Sequence, residues 1–163
     1  MRKSKIVLAA ACSIVVLGSC SSGGGTRSTG SSSSKNKSGS PSKSEFVEQA
    51  DAICKKYDDR RNQLLGGLNL DQNDIKGSAA KIVDKILPTQ RAEIAELEKL
   101  VPPAADAAMI TKLWADLTTA TDDLEHTLET DPQKALGDTY DPYAALDKTA
   151  QRYGFTDCGS TDN

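Results

Sequence analysis

Side chains able to do chemistry are few in this 163-residue chain: one histidine, His126, and four cysteines, Cys12, Cys20, Cys54 and Cys158. Asp123-x-x-His126 has the spacing of the Glu-x-x-His motif that holds metal in di-iron bundles, but such a site needs a second copy and two further inward carboxylates. One histidine cannot supply it, and His126 is expected in solvent near a helix end. Asp71-x-Asn73-Asp74 begins like a calcium loop, yet Ile75 stands where the next oxygen ligand belongs and Gly77 comes one place late. Neither Gly-x-Ser-x-Gly nor a phosphate-cradling glycine loop occurs in residues 44–163. No metal and no cofactor is therefore expected. Carboxylates are abundant, with 23 Asp and Glu against 20 Lys and Arg. Seven of the basic residues and none of the acidic ones precede residue 44, which leaves 13 against 23 and a charge of −10 for residues 44–163. A nucleic-acid partner is excluded, because neutralising phosphates needs a basic face and 4% aromatic residues make no base-stacking platform.

Two of the cysteines have another use. Residues 1–5 are basic, residues 6–18 are apolar, and Leu17-Gly18-Ser19-Cys20 follows. The apolar run is shorter than the about 20 residues needed to span a bilayer, so residues 1–19 read as a signal peptide. The tetrapeptide resembles the bacterial lipobox, which implies cleavage before Cys20 and acylation of its thiol. Membrane lipid is thus one expected partner. Residues 21–43 contain ten Ser and five Gly and no aliphatic or aromatic side chain, so residues 20–43 form an expected disordered tether that cannot bury enough apolar area to offset its ordering entropy. Cys12 leaves with the signal peptide and Cys20 is the anchor. Cys54 and Cys158 remain, an even pair in an exported chain, and predict a disulfide. Two thiols without histidine are too few for a metal site, and they lack the close spacing of a redox Cys-x-x-Cys motif.

The elements that must position these residues are helical. Ser42 and Glu45 have capping-box spacing, and Phe46, Ala50, Ile53, Tyr57 and Leu64 follow on one stripe up to Gly66-Gly67. A second helix starts near Asp74 and carries Ile75, Ala79, Ile82, Val83, Ile86, Ile94, Leu97 and Val101 inward as far as Pro102-Pro103, kinked or split at Pro88. A third runs from about Asp106 to Asp131-Pro132, with Ile110, Leu113, Trp114, Leu117, Leu124 and Leu128 inward. The fourth has Asp141 as N-cap, Pro142 as N1, a stripe of Tyr143, Leu146, Ala150 and Tyr153, and Gly154 at its end. No segment alternates with period two. The pattern predicts an all-α, up-down-up-down four-helix bundle over residues 44–163, closed by one disulfide.

The lipobox, the Ser/Gly tether, Ala50-Asp51-Ala52-Ile53-Cys54, Leu100-Val101-Pro102-Pro103 and Asp157-Cys158-Gly159 together resemble the small, largely uncharacterised helical lipoproteins of actinobacteria. The resemblance implies an envelope location and a disulfide-closed helical fold, and it brings no catalytic residues. Two functions fit. The first is a lipid-anchored, non-catalytic binding or interaction module on the outer face of the plasma membrane; the second is a small envelope enzyme using paired carboxylates, for example on cell-wall glycans. A cleft enclosing two carboxylates, one against apolar side chains, would favour the enzyme. Charge placement suggests one site: the turn between helices one and two and the junction between helices three and four should share a pole. There Asp71, Asp74, Asp122, Asp123, Glu125 and Asp131 would take a basic protein segment or a divalent cation, or form only a solvated cap.

Overall fold

The computed structural model describes residues 39–159. The signal segment, Cys20 and the tether up to residue 38 lie outside the described residues. Six helices follow one another: α1 (Lys43–Gly67), α2 (Ile75–Lys85), α3 (Leu87–Leu97), α4 (Ala107–Thr130), α5 (Pro132–Ala135) and α6 (Ala144–Tyr153). The start of α1 is locally determined. Ser42 Oγ accepts the Glu45 N–H, and the Glu45 carboxylate accepts the Ser42 N–H at 2.8 Å, which satisfies two of the otherwise orphaned donors of the first turn. Pro88 divides the second predicted helix. It has no N–H to offer the Asp84 carbonyl, so α2 and α3 meet at Ile86, whose own carbonyl accepts from both Thr89 and Gln90.

Two sequence expectations are corrected. The second helical segment ends at Leu97, short of Pro102-Pro103, and Val101 is 67% exposed instead of inward. Helix α6 starts at Ala144, because Asp141 accepts the Tyr143 N–H at 2.9 Å and so closes a turn ahead of the helix without capping it. Asp106 stands at the N-cap position of α4 but accepts the Tyr153 hydroxyl at 2.9 Å, from 47 residues away, and caps nothing. Burial, with Asp106 beside it, pushes the Tyr153 phenol up to about 12.

Side-chain pairs reveal the register. Lys56 reaches Glu96 and Arg61 reaches Glu93, so α1 and α3 run antiparallel. Arg91 reaches Asp122 and Glu125 on α4; along α4 and α6, Asp106 meets Tyr153 and Thr121 meets Tyr143, again antiparallel. The result is the up-down-up-down bundle, with two apolar clusters inside it. One gathers Phe46, Ala50, Leu97, Ile110, Leu113, Trp114, Tyr153 and Phe155; the other gathers Ala79, Leu87 and Leu128 with Ile82, Val83 and Leu124 packed against it.

The C-terminal segment closes the bundle. Gly154 takes φ 114°, a left-handed conformation that costs a residue without Cβ little, and it turns the chain back off α6. Phe155 then packs on Trp114, Phe46 and Tyr153, with ring centroids 5.0–6.0 Å apart. Cys158 is bonded to Cys54, one helical turn beyond Asp51. The buried Asp51 carboxylate accepts the backbone N–H groups of Thr156, Asp157 and Cys158 at 3.0–3.1 Å and the Thr156 hydroxyl at 2.8 Å. Three N–H groups that no helix satisfies thereby find one anion. Asp51→Asn keeps a single acceptor oxygen and loses the charge. It should cost about 1–3 kcal/mol with the disulfide intact, read from the midpoint of urea unfolding; an unchanged midpoint would show that water serves those N–H groups equally well.

Candidate functional site

Between the two apolar clusters the packing opens into a cleft of about 320 Å³. Its walls are largely apolar. Ile82, Ile86 and Leu87 come from the α2–α3 junction, Leu97 from the end of α3, Trp114, Leu117 and Leu124 from α4, and the Cys54–Cys158 disulfide closes one side. The break at Pro88 contributes to this shape, since it ends α2 and restarts the chain as α3 where three of the wall residues sit.

Deep in the cleft lies an ion pair. Arg61 on α1 donates to Glu93 on α3 and, with its other terminal nitrogen, to Asp58 one turn back. The side chains are only 18% exposed for Arg61 and 5% for Glu93. Burial pushes the Glu93 carboxyl above its ordinary value, and the Arg61 charge pulls it only part of the way back. Next to this pair, Tyr143 donates its hydroxyl to Thr121 at 3.2 Å, and the fully buried Thr121 donates to the Leu117 carbonyl at 2.9 Å. Burial raises the Tyr143 phenol as well, so it remains a neutral donor. A polar layer thus crosses the bundle where the apolar core is interrupted.

Three more carboxylates, Asp141, Asp147 and Asp157, line the more exposed part of the cleft. None of them pairs with a cation among the described residues. Asp141 accepts the Tyr143 N–H, and Asp157 accepts the Thr156 hydroxyl at 3.3 Å. Burial, helped by the like charge of Asp141, raises the Asp147 carboxyl. The enzyme criterion is therefore met only in part: Glu93 is enclosed by apolar side chains, but Arg61 neutralises it.

Five of the six expected acidic residues make polar contacts of their own. The turns do share one end, because Ala79 and Val83 of α2 pack in one cluster with Leu128 of α4 and Ala135 of α5. Most of the six acids there have structural roles. Asp74 caps α2 through the Gly77 N–H at 2.9 Å, Asp131 caps α5 through Lys134, and Asp71 closes its own turn through Asn73. Arg91 of α3 binds both Asp122 and Glu125, at 2.7 and 2.6 Å, and brings a positive charge that counting along the two turns omits. Asp123 and His126 are exposed. Among the described residues no group of three or more His, Cys, Asp or Glu is arranged to hold a metal ion, and no helix is long and apolar enough to cross a membrane.

The sequence held a signal for the cleft. Arg61 falls on the α1 stripe between Tyr57 and Leu64, and Glu93 lies seven residues after Ile86 on the inward stripe of the next helix. A cation and an anion on inward stripes mark two charges that need partners in the interior, whereas Asp141, Asp147 and Asp157 carry no local mark of convergence. No protein-family model matches this chain, and neither a curated protein nor a solved structure shows significant similarity to it.

Proposed function

We propose that this chain is a non-catalytic binding module, held on the outer face of a bacterial plasma membrane by an acylated Cys20, that takes a small ligand between its helices. The cleft carries the binding reading: it is concave, mostly apolar, and furnished with a few convergent polar groups, the usual make-up of a small-molecule site. The anchoring reading rests on Leu17-Gly18-Ser19-Cys20 behind a basic and apolar N-terminus. An oxidising, exported location agrees with the Cys54–Cys158 bond. One observation favours the enzyme as a second reading: Asp141 and Asp147 line the same cleft, and the raised Asp147 carboxyl has the character of a general acid.

Protein purified from its native membrane tests all of this. Mass spectrometry should find an acylated Cys20 as the first residue, and Cys20→Ala should accumulate as precursor or be shed. Native spectra should show a small molecule retained unchanged. A membrane-bound chain with unmodified Cys20 would refute anchoring, and a consistently empty cleft would refute binding. Cleavage of cell-wall glycan that Asp147→Asn abolishes would make the protein an enzyme.

A further inference from the structure

We infer that the cleft is selective for a small organic cation: an amine, guanidinium or quaternary ammonium group carried on an apolar body. The inference rests on the binding reading and names its ligand class. The apolar walls offer Leu87, Leu117 and Trp114 to an apolar body. An anion finds no uncommitted positive charge there, because Arg61, the one basic residue of the lining, already pairs with Glu93 and Asp58. With Arg61 and Glu93 cancelling, Asp141, Asp147 and Asp157 leave the lining three negative charges without a counter-cation among the described residues.

The placement of these aspartates is costly for the empty protein. Asp147 is half-buried, beside a like charge, with no donor of its own among the described residues, so its ionised form is disfavoured where it stands. A cation in the cleft removes that cost: it screens Asp147 from Asp141 and replaces part of the lost hydration. A bare calcium or magnesium ion does not fit equally well, since it takes about six or more oxygen ligands and among the described residues no three acidic side chains are arranged to hold a metal ion. The size of the space, near the lower end for ligand pockets, restricts the occupant to a small molecule.

The test compares three nearly isosteric probes on the full, lipid-anchored protein in neutral phosphatidylcholine nanodiscs: phenethylamine, phenethyl alcohol and phenylacetate, followed by calorimetry or ligand-observed NMR. The amine should bind with Kd of about 1 mM or better, and the alcohol and the acid at least about tenfold more weakly. Asp147→Asn should weaken the amine about three- to tenfold while raising the melting temperature of the empty protein at neutral pH. A residue serving structure alone would lower both or neither. Asp157→Asn, which leaves Asp147 in place, should weaken the amine in the same direction. Equal binding of amine and alcohol would overturn the cation selectivity and leave the binding module standing. Failure of the amine to bind would overturn the inference. If the native envelope protein also held no ligand, the binding reading would fall with it.

Discussion

Cys54→Ser and Cys158→Ser should each lower the free energy of unfolding by about 4–5 kcal/mol, a large part of the stability of a domain of this size. The bond closes a loop of 104 residues that contains every helix after the middle of α1. In the chain-entropy account, opening that loop mainly frees the unfolded chain. The folded state keeps its C-terminal contacts without the bond, since Asp51 still binds the N–H groups of residues 156–158 and Phe155 still packs on Trp114 and Phe46. The variants should therefore fold to the same structure and melt earlier, and the double variant should add little to either single one. Asp51→Asn should cost more in Cys54→Ser than in the intact protein, because the carboxylate is then the main polar tie on the segment. Thermal and denaturant unfolding with and without reductant measures these effects. Two titratable thiols in the protein purified without reductant, or a melting temperature indifferent to reductant, would contradict them.

Arg61→Met should cost about 3–5 kcal/mol at neutral pH, because it leaves the nearly inaccessible Glu93 carboxylate charged without its counter-ion. The pH dependence has a definite sign. Burial already holds the Glu93 carboxyl above its ordinary value with Arg61 present, and removing Arg61 raises it further. A carboxyl raised in the folded state binds its proton more tightly there than in the unfolded chain. The loss is therefore fully present above the raised value and shrinks as pH falls through it toward the ordinary carboxylate range near about 4. Glu93→Gln should cost less, since Arg61 keeps Asp58. The double variant Arg61→Met, Glu93→Leu should recover most of the loss, as replacing both members of a buried pair by apolar side chains often does. Denaturant melts of the four proteins at pH 7 and pH 4.5 test this. A double variant no more stable than Arg61→Met would overturn it.

Several helix starts and stops were legible because their cause lies within a few residues. The Ser42–Glu45 box, the start of α2 beside Asp74 and the Gly154 turn are contests between a backbone and its own neighbours, and they appear as the residue types predict. The stripes of α1 and α4 are equally local, since a period of 3.6 decides which residues face inward whatever they face. Export chemistry made the pairing of Cys54 with Cys158 the expected one, and the structure contains it. Asp141 shows where this reasoning fails: it has the type and position of a cap, but it gives its carboxylate to a turn outside the helix.

The sequence alone thus determined an all-helical chain and most of its inward faces, because propensity, capping and amphipathic period act over three to seven residues. Only the tertiary structure decided that Arg61 meets Glu93 across 32 residues, that Asp51 gathers the N–H groups of a segment 105 to 107 residues away, and that Asp141, Asp147 and Asp157 line one cleft. Those meetings depend on the register of one helix against the next, which is set by the fit of all their side chains at once.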